Sequence, residues 1–338
     1  MLRLGIGRPK MPRMMLRCWL LLVGILVSFA ATAQPPASQP RIGYLSLAAE
    51  DSPPQMVFRA AFLSGMRDLG YVGARAPLMS FKFAQGNPAL LRDLATMLAD
   101  AKLDVLVGEG QQASSALKAA SSSVPVVMLA CDAVTAGLVP QLARPGGNVT
   151  GITCLTPELT VKRVQLLRDL KPSLRLMGIL WNSHDPNKIK EVQAAQAAAG
   201  KLGLSHKTYE VRTVEDIDAQ FAAMRTDNID SMLLIGDAFM IVHRQRIVAA
   251  VSAMGVPAMY PFLEFVDAGG LASYGPSLPA MFQAMSRHVD KILKGAKPGE
   301  LPVEQPTIFD FAVNLPSARA AGIAVPISFL AQASKVID

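Results

Sequence analysis

Asp104-Val-Leu-Val-Gly-Glu-Gly-Gln-Gln-Ala-Ser-Ser-Ala-Leu-Lys-Ala-Ala120, followed after three serines by Val124-Pro-Val-Val-Met-Leu-Ala-Cys131, decides the fold. Asp104–Val107 has strand character, a glycine-broken turn follows, Ala113–Ala120 favours helix, and Val124–Cys131 returns to an apolar strand pattern. A strand that enters a helix and is succeeded by another strand is the unit of a parallel sheet covered by helices. The rhythm extends in both directions. Upstream, Arg41–Leu47 and Leu78–Phe83 are expected strands, with helices over Pro54–Gly70 and Pro88–Ala101. Downstream come a short helical stretch after Asp132, the turn cluster Arg144-Pro-Gly-Gly-Asn148 and a strand at Val149–Cys154.

The alternation then restarts. Helices are expected at Glu158–Leu170, Ile189–Gly203, Val214–Arg225, Phe239–Gly255 and Leu278–Gly295. Strands are expected at Leu174–Trp181, Ser205–Val211, Ser231–Ile235, Pro257–Pro261, Leu271–Tyr274 and Thr307–Asn314, with two short helices in the tail. Two successive arrays give an α/β chain of two doubly wound parallel-sheet lobes. Ligands of open α/β sheets lie beyond the carboxyl ends of the strands, so the residues that follow the strands are the candidates. In the first array these are Ser46, the loop Gly110, Gln111, Gln112 and Ser114, and Asp132. In the second they are Asn182, Asp237 and the run from Tyr260 to Glu264, with Tyr274 where the chain crosses back. Carboxylates, amides, hydroxyls and helix N-termini together suit a small zwitterion, although each acid or amide alone also serves as a helix cap.

Charge and composition narrow the function. The 338 residues carry a formal charge of +7, but Arg3, Arg8, Lys10, Arg13 and Arg17 precede the first acid, Glu50. Taking those five from the chain's 33 basic residues leaves 28 against 26 acids, too balanced for a phosphate-backbone binder. Residues 1–33 have the form of a secretory signal: a basic start, the apolar run Cys18–Ala31, and Ala31-Thr-Ala33 as a cleavage pattern. That run, about 21 Å as a helix, is shorter than a bilayer core. A cleaved signal, the spacer Gln34-Pro-Pro-Ala-Ser-Gln-Pro40 and a periplasmic product are expected. Neither the histidines nor the cysteines fall at metal-ligand spacing. Cys131 and Cys154 are either a disulfide, which an oxidising compartment permits, or two small buried thiols.

No nucleophile elbow occurs. Gly108-x-Gly110-x-x-Ala113, with Asp132 ending the next strand, has the letters of a dinucleotide fingerprint, and an exported nucleotide-dependent oxidoreductase is the alternative. It sits in the third βα unit rather than the first, and Glu109 places a carboxylate where a pyrophosphate would lie. A tight strand-to-helix turn is the plainer explanation.

Three further stretches carry a resemblance: Leu138-Val-Pro-Gln-Leu-Ala-Arg-Pro-Gly-Gly-Asn-Val-Thr-Gly151, Met259-Tyr-Pro-Phe-Leu-Glu-Phe-Val-Asp-Ala-Gly-Gly-Leu-Ala-Ser-Tyr-Gly275, and Ile292-Leu-Lys-Gly-Ala-Lys-Pro298 with Leu301-Pro-Val-Glu-Gln-Pro306. Together they resemble the ABC transporter substrate-binding proteins of the kind that includes tryptophan-binding members, over residues 41–337. The resemblance implies a type I-like periplasmic-binding-protein fold with a multi-crossover hinge. One lobe would be 41–153 plus 275–298 and the other 154–274 plus 299–338. It implies ligand contacts at Gly110–Ser114, Asp132, Asn182 and Asp237, with Tyr274 near the hinge. It further implies a small-molecule ligand such as an amino acid or aromatic acid, an ABC permease in the inner membrane as partner, a monomer, no cofactor and no catalysis. Glu109-Gly-Gln-Gln112 stands where such proteins often have a Gly-Thr-Pro type sequence, and Cys131 where small or hydroxyl residues are common.

Overall fold

The computed structural model describes residue 2, residues 39–154 and residues 156–338. Apart from residue 2 the expected leader lies outside the described residues, as does the spacer up to residue 38. In the first lobe, β1 (Arg41–Ser46), α1 (Pro53–Asp68), β2 (Leu78–Phe83), α2 (Leu91–Ala99), β3 (Val105–Glu109), α3 (Gly110–Ala120), β4 (Val126–Leu129) and β5 (Val149–Ile152) follow in order. The second lobe takes α4 (Thr156–Leu170), β6 (Leu176–Asn182), α5 (Ile189–Lys201), β7 (Ser205–Val211), α6 (Val214–Thr226), β8 (Ser231–Leu234), α7 (Ala238–Val242), α8 (Arg244–Met254), β9 (Ala258–Tyr260), α9 (Leu263–Asp267) and β10 (Ala272–Pro276). Then come α10 (Leu278–Leu293), β11 (Phe309–Asn314), α11 (Leu315–Ala320), α12 (Ile327–Leu330) and β12 (Lys335–Ile337).

The first sheet is parallel, in the order β2-β1-β3-β4-β5. Both its faces are covered, so its strands are apolar on both sides. In β4, Val127 and Leu129 enter one core while Val126 and Met128 enter another. The second sheet runs β12-β11-β10-β9-β8-β6-β7. It is mixed rather than wholly parallel, because β11 pairs antiparallel with β10.

The chain passes between lobes between Ile152 and Thr156, at Pro276–Leu278, and between Glu304 and Phe309. After the second passage α10 packs along α1, with Phe282 stacked on Phe58 at 4.7 Å between ring centres. Residues 299–304, expected with the second lobe, instead lie along the first. Val303 N–H donates to Leu142 O (2.8 Å) and Glu304 N–H to Gly151 O (2.9 Å), and Val303 is buried in the first-lobe core. β5 would otherwise be an open edge, and this segment covers it.

Other differences are local. Residues 132–137 form turns rather than a helix, and Asp132 itself has φ +60°. The helix expected over Phe239–Gly255 breaks at His243 into α7 and α8. α9 and β12 were not expected. Cys131 and Cys154, at the ends of neighbouring strands, form a disulfide with Cα atoms 4.4 Å apart. Asn148 fastens the start of β5, its amide donating to Ser121 O (2.8 Å) and Val124 O (2.9 Å).

Gly151 is the tightest backbone position in the first sheet. Its φ is +139°, and a Cβ there would lie 2.1 Å from Met128 O, the residue it pairs with. Gly151→Ala is expected to cost about 3 kcal/mol or more, through both backbone strain and a forced β4–β5 separation. Gly137→Ala, at φ +67° with nothing within 4 Å, is expected to cost about 1 kcal/mol. Urea unfolding of the two variants checks this, and equal midpoints would refute it.

Candidate functional site

In a doubly wound sheet the crevice opens where the strand order reverses. The first sheet reverses between β1 and β3, and the second between β6 and β8. The ends of β1 and β3 supply Ser46 and Glu109–Gln112 to one wall of a cavity of about 180 Å³. The loops after β6 and β8 supply Asp185, Lys188, Gly236 and Asp237 to the other. Its sides are apolar, with Phe58, Phe262, Leu278 and Phe282 among them.

On the first-lobe side, Ser46 Oγ donates to Gln55 Oε1 (3.2 Å) and accepts from Ala48 N–H (3.0 Å). Tyr44 Oη donates to Glu109 Oε2 at 2.6 Å. Burial pushes the Glu109 carboxyl above its usual range, against the hydrogen bond from Tyr44 and the nearby polar groups of Gln55 and Ser46. Gly110 opens α3 at φ +82°, which glycine adopts without strain, and a Cβ there would lie 3.3 Å from Ala238 Cβ of the other lobe. The lobes thus meet at this turn.

On the second-lobe side, Asp237 caps α7 by accepting from Met240 N–H (2.8 Å), and Asn182 Nδ2 donates to its other oxygen (2.6 Å). Burial raises the Asp237 carboxyl above its ordinary value, an effect moderated by those bonds and by Lys188. Lys188 is only 2% exposed. Burial alone would lower its pKa, but Glu191, Asp132, Asp185 and Asp237 together raise it, so it remains an ammonium.

Besides the Thr156–Asp132 bond at the first crossing, three side-chain contacts between described residues span the cleft. Gln111 Nε2 donates to Asp185 Oδ1 (3.0 Å), Lys188 Nζ lies 3.6 Å from Asp132, and Lys190 Nζ donates to Thr135 Oγ1 (3.3 Å). Three amide atoms on the wall are buried without a partner: Gln55 Nε2, Gln111 Oε1 and Gln112 Oε1. The bond Gln111 makes to the Asp185 carboxylate fixes which end of that amide is spare. One donor and two acceptors border this largely apolar cavity.

The sequence pattern of the ABC transporter substrate binding proteins matches residues 51–337. The chain belongs to that family. This substrate-binding protein is similar to the ABC domain from Streptococcus pneumonia solved in complex with L-Trp. They share 27% identity with a TM-score of 0.83, covering 89% of this chain and 100% of that one. A conserved domain protein from Vibrio cholerae gives 25% identity and a TM-score of 0.82, over 88% and 99% of the two chains. The tyrosine-binding protein of Clostridioides difficile is 21% identical over 264 residues, 78% of this chain and 75% of that protein. The family match lends no support to the dinucleotide reading of the Gly108–Ala113 loop.

Of the residues singled out from the sequence, Ser46, Gly110, Gln111, Gln112 and Asp237 line the cavity of this substrate-binding protein. The others stand behind or away from that lining. Ser114 turns inward, donating to Gly108 O and Gly110 O (3.1 and 2.7 Å). Asp132 accepts from Thr156 Oγ1 at 2.6 and 2.7 Å and faces Lys188. Asn182 backs Asp237. Tyr260 is buried and stacked on Phe265 at 5.2 Å. Tyr274 offers its carbonyl to Arg163 Nε (2.8 Å) while its ring lies by Phe309 and Phe311. Sequence reasoning missed Gln55, Phe58, Lys188, Arg244 and Phe282. The phenylalanines carry the signature of ordinary helix core. Lys188 follows directly on the marked loop 181–187, and Arg244 has the look of a surface residue in a long helix.

Glu264 is 8% exposed and one of its oxygens has no partner. Burial, with Asp267 and Asp310 adding to it, pushes its carboxyl up from 4.5 to about 7, while Arg244 pulls the other way. The folded protein thus keeps a proton that the unfolded chain releases. The stability this group contributes is complete below about pH 4.5 and is lost as pH rises through about 7. That loss amounts to about 3 kcal/mol. Glu264→Gln is expected to remove this component of the pH slope and to be the more stable form at pH 8. Denaturant unfolding at pH 5 and pH 8 measures it, and parallel behaviour of the two proteins would exclude the assignment.

Proposed function

We propose that this substrate-binding protein captures a free amino acid with an apolar, ring-bearing side chain between its lobes, outside the cytoplasm, and passes it unchanged to an ABC permease. The observation that carries this reading is the unpartnered trio on the cavity wall. Gln55 Nε2 suits a carboxylate oxygen, while Gln111 Oε1 and Gln112 Oε1 suit an ammonium. Asp237 adds a carboxylate beside the ammonium position, and Phe58, Phe262 and Phe282 enclose an apolar body. Leaving such a buried group unmatched costs about 1–3 kcal/mol, so a zwitterion that meets all three gains where a hydrocarbon does not. The tryptophan complex and the tyrosine-binding relative are consistent with this class.

No bond in the guest needs to break. Binding stabilises the closed arrangement by its differential affinity for that form. The contacts Gln111–Asp185, Lys188–Asp132 and Lys190–Thr135 form only when the lobes meet, and the three crossing segments are the hinge. The basic, apolar leader directs export, and the mature protein acts as a monomer. No helix among the described residues is long and apolar enough to cross a membrane, and the permease with its ATPase supplies the passage.

Asp237→Ala is expected to weaken binding of the best amino acid at least about tenfold while lowering stability by only the loss of a helix cap, about 1 kcal/mol. Calorimetry with tryptophan, tyrosine and phenylalanine, paired with urea unfolding, separates the two effects. Unchanged affinity would take Asp237 out of the site. Solution scattering with saturating ligand is expected to show compaction, and chemical alteration of the guest would overturn the whole reading.

A further inference from the structure

The cavity has two buried cations, and they are not equivalent. Lys188 lies 3.4 Å from Glu191 and 3.6 Å from Asp132. Arg244 is 8% exposed, lines the same cavity, and has no carboxylate within ion-pair distance among the described residues. Its one hydrogen bond there sends Nη1 to Ile241 O at 3.0 Å. Burial works against its charge, and only the more distant Glu264 favours it. A guanidinium has five donors, so most of this one's capacity is unspent.

Position tells what it would meet. Asp237 caps the start of α7, and Arg244 follows the break at His243, seven residues on. Ala238, Ile241 and Val242 line the wall between the two charges. The ammonium and carboxylate of an α-amino acid are separated by a single carbon, so a zwitterion held at the Asp237 and glutamine end leaves its side-chain tip toward Arg244. A purely hydrocarbon tip would cover the guanidinium and give it no partner, which is costly.

We propose that Arg244 reads a hydrogen-bond-accepting or anionic group at the far end of the ligand's apolar side chain: a phenolic oxygen, a carbonyl or a carboxylate. The inference rests on the amino-acid reading above and adds the chemistry of the tip. It makes Arg244 the residue that discriminates among amino acids of similar size.

Calorimetric titration of the wild-type protein with phenylalanine, tyrosine, 4-carboxyphenylalanine and 4-aminomethylphenylalanine varies the tip alone. Tyrosine and the carboxylate are expected to bind at least about tenfold tighter than phenylalanine, and the cationic analogue weakest. Arg244→Met is expected to erase that ranking and to tighten phenylalanine binding, because no guanidinium is then left unpartnered under the hydrocarbon tip, and Arg244→Lys to keep part of the ranking. Near-ultraviolet circular dichroism checks that the variants fold, and the wild-type ranking decides the matter even if one does not. A flat wild-type ranking, or a Met variant that weakens all four ligands equally because Arg244 takes the α-carboxylate, would overturn the proposal while leaving the amino-acid reading intact. Failure of every amino acid to bind the wild type would overturn both.

Discussion

A chain of buried charges running from the hinge strand to the cleft is the constraint on which the rest of the structure depends. Arg163, 1% exposed, donates through Nε to Tyr274 O on β10, and its Nη1 lies 3.1 Å from Glu191. Glu191 also accepts from Thr160 Oγ1 at 2.7 Å and lies 3.4 Å from Lys188. Lys188 in turn faces Asp132 of the first lobe. Burial alone would raise the Glu191 pKa, yet Lys188 and Arg163 hold it below the usual carboxylate range. Each ion in such a chain is tolerable only because the next one is present, and deleting one member leaves an uncompensated buried charge. The chain therefore ties three things together: the register of α4 against α5, the position of the strand that leads back across the hinge, and the approach of the first lobe to the cleft.

The disulfide acts at the same junction. Cys131 immediately precedes Asp132, and Cys154 immediately precedes the first crossing of the chain. A bridge between residues 23 apart restricts the unfolded chain by about 3 kcal/mol in the loop-entropy picture. Its local effect bears more directly on the site. Asp132 is held from one side by the neighbouring bridge and from the other by Thr156, so both flank the carboxylate that meets Lys188.

Much of this architecture was legible in the sequence because the signals were local. Apolar runs of strand length between helices, and turn residues at the right places, indicated two doubly wound arrays. The rule that ligands lie past strand ends then led to Ser46, Gly110–Gln112 and Asp237. What stayed hidden depended on partners distant in the chain. β12 is only three residues long and exists by pairing with β11. Residues 299–304 look like linker and become a sheet edge because β5 needs a cover. Ser114 and Asn182 lie in the expected strand-end regions, but the Gly108 and Gly110 carbonyls and Asp237 respectively use their polar atoms. Lys188 and Arg244 escaped notice because long basic side chains are ordinarily solvated, whereas both are buried here.

The unpartnered amides explain why closure should depend on a guest. In the lobes-together arrangement the three atoms of Gln55, Gln111 and Gln112 have no partner within the protein. Where closure leaves them dry, at about 1–3 kcal/mol for each, the closed form carries a penalty of about 3–9 kcal/mol that an open, hydrated cleft does not. Moving a two-state equilibrium from almost wholly open to almost wholly closed takes about 5.5 kcal/mol of differential affinity, which falls inside that range. The interlobe bonds of Gln111 and Lys188 offset part of the penalty. On the amino-acid reading proposed above, a ligand that satisfies all three amides supplies the remainder, whereas one of matching shape but without the zwitterion leaves the penalty in place. On this account the glutamines make closure report that the right kind of molecule is inside.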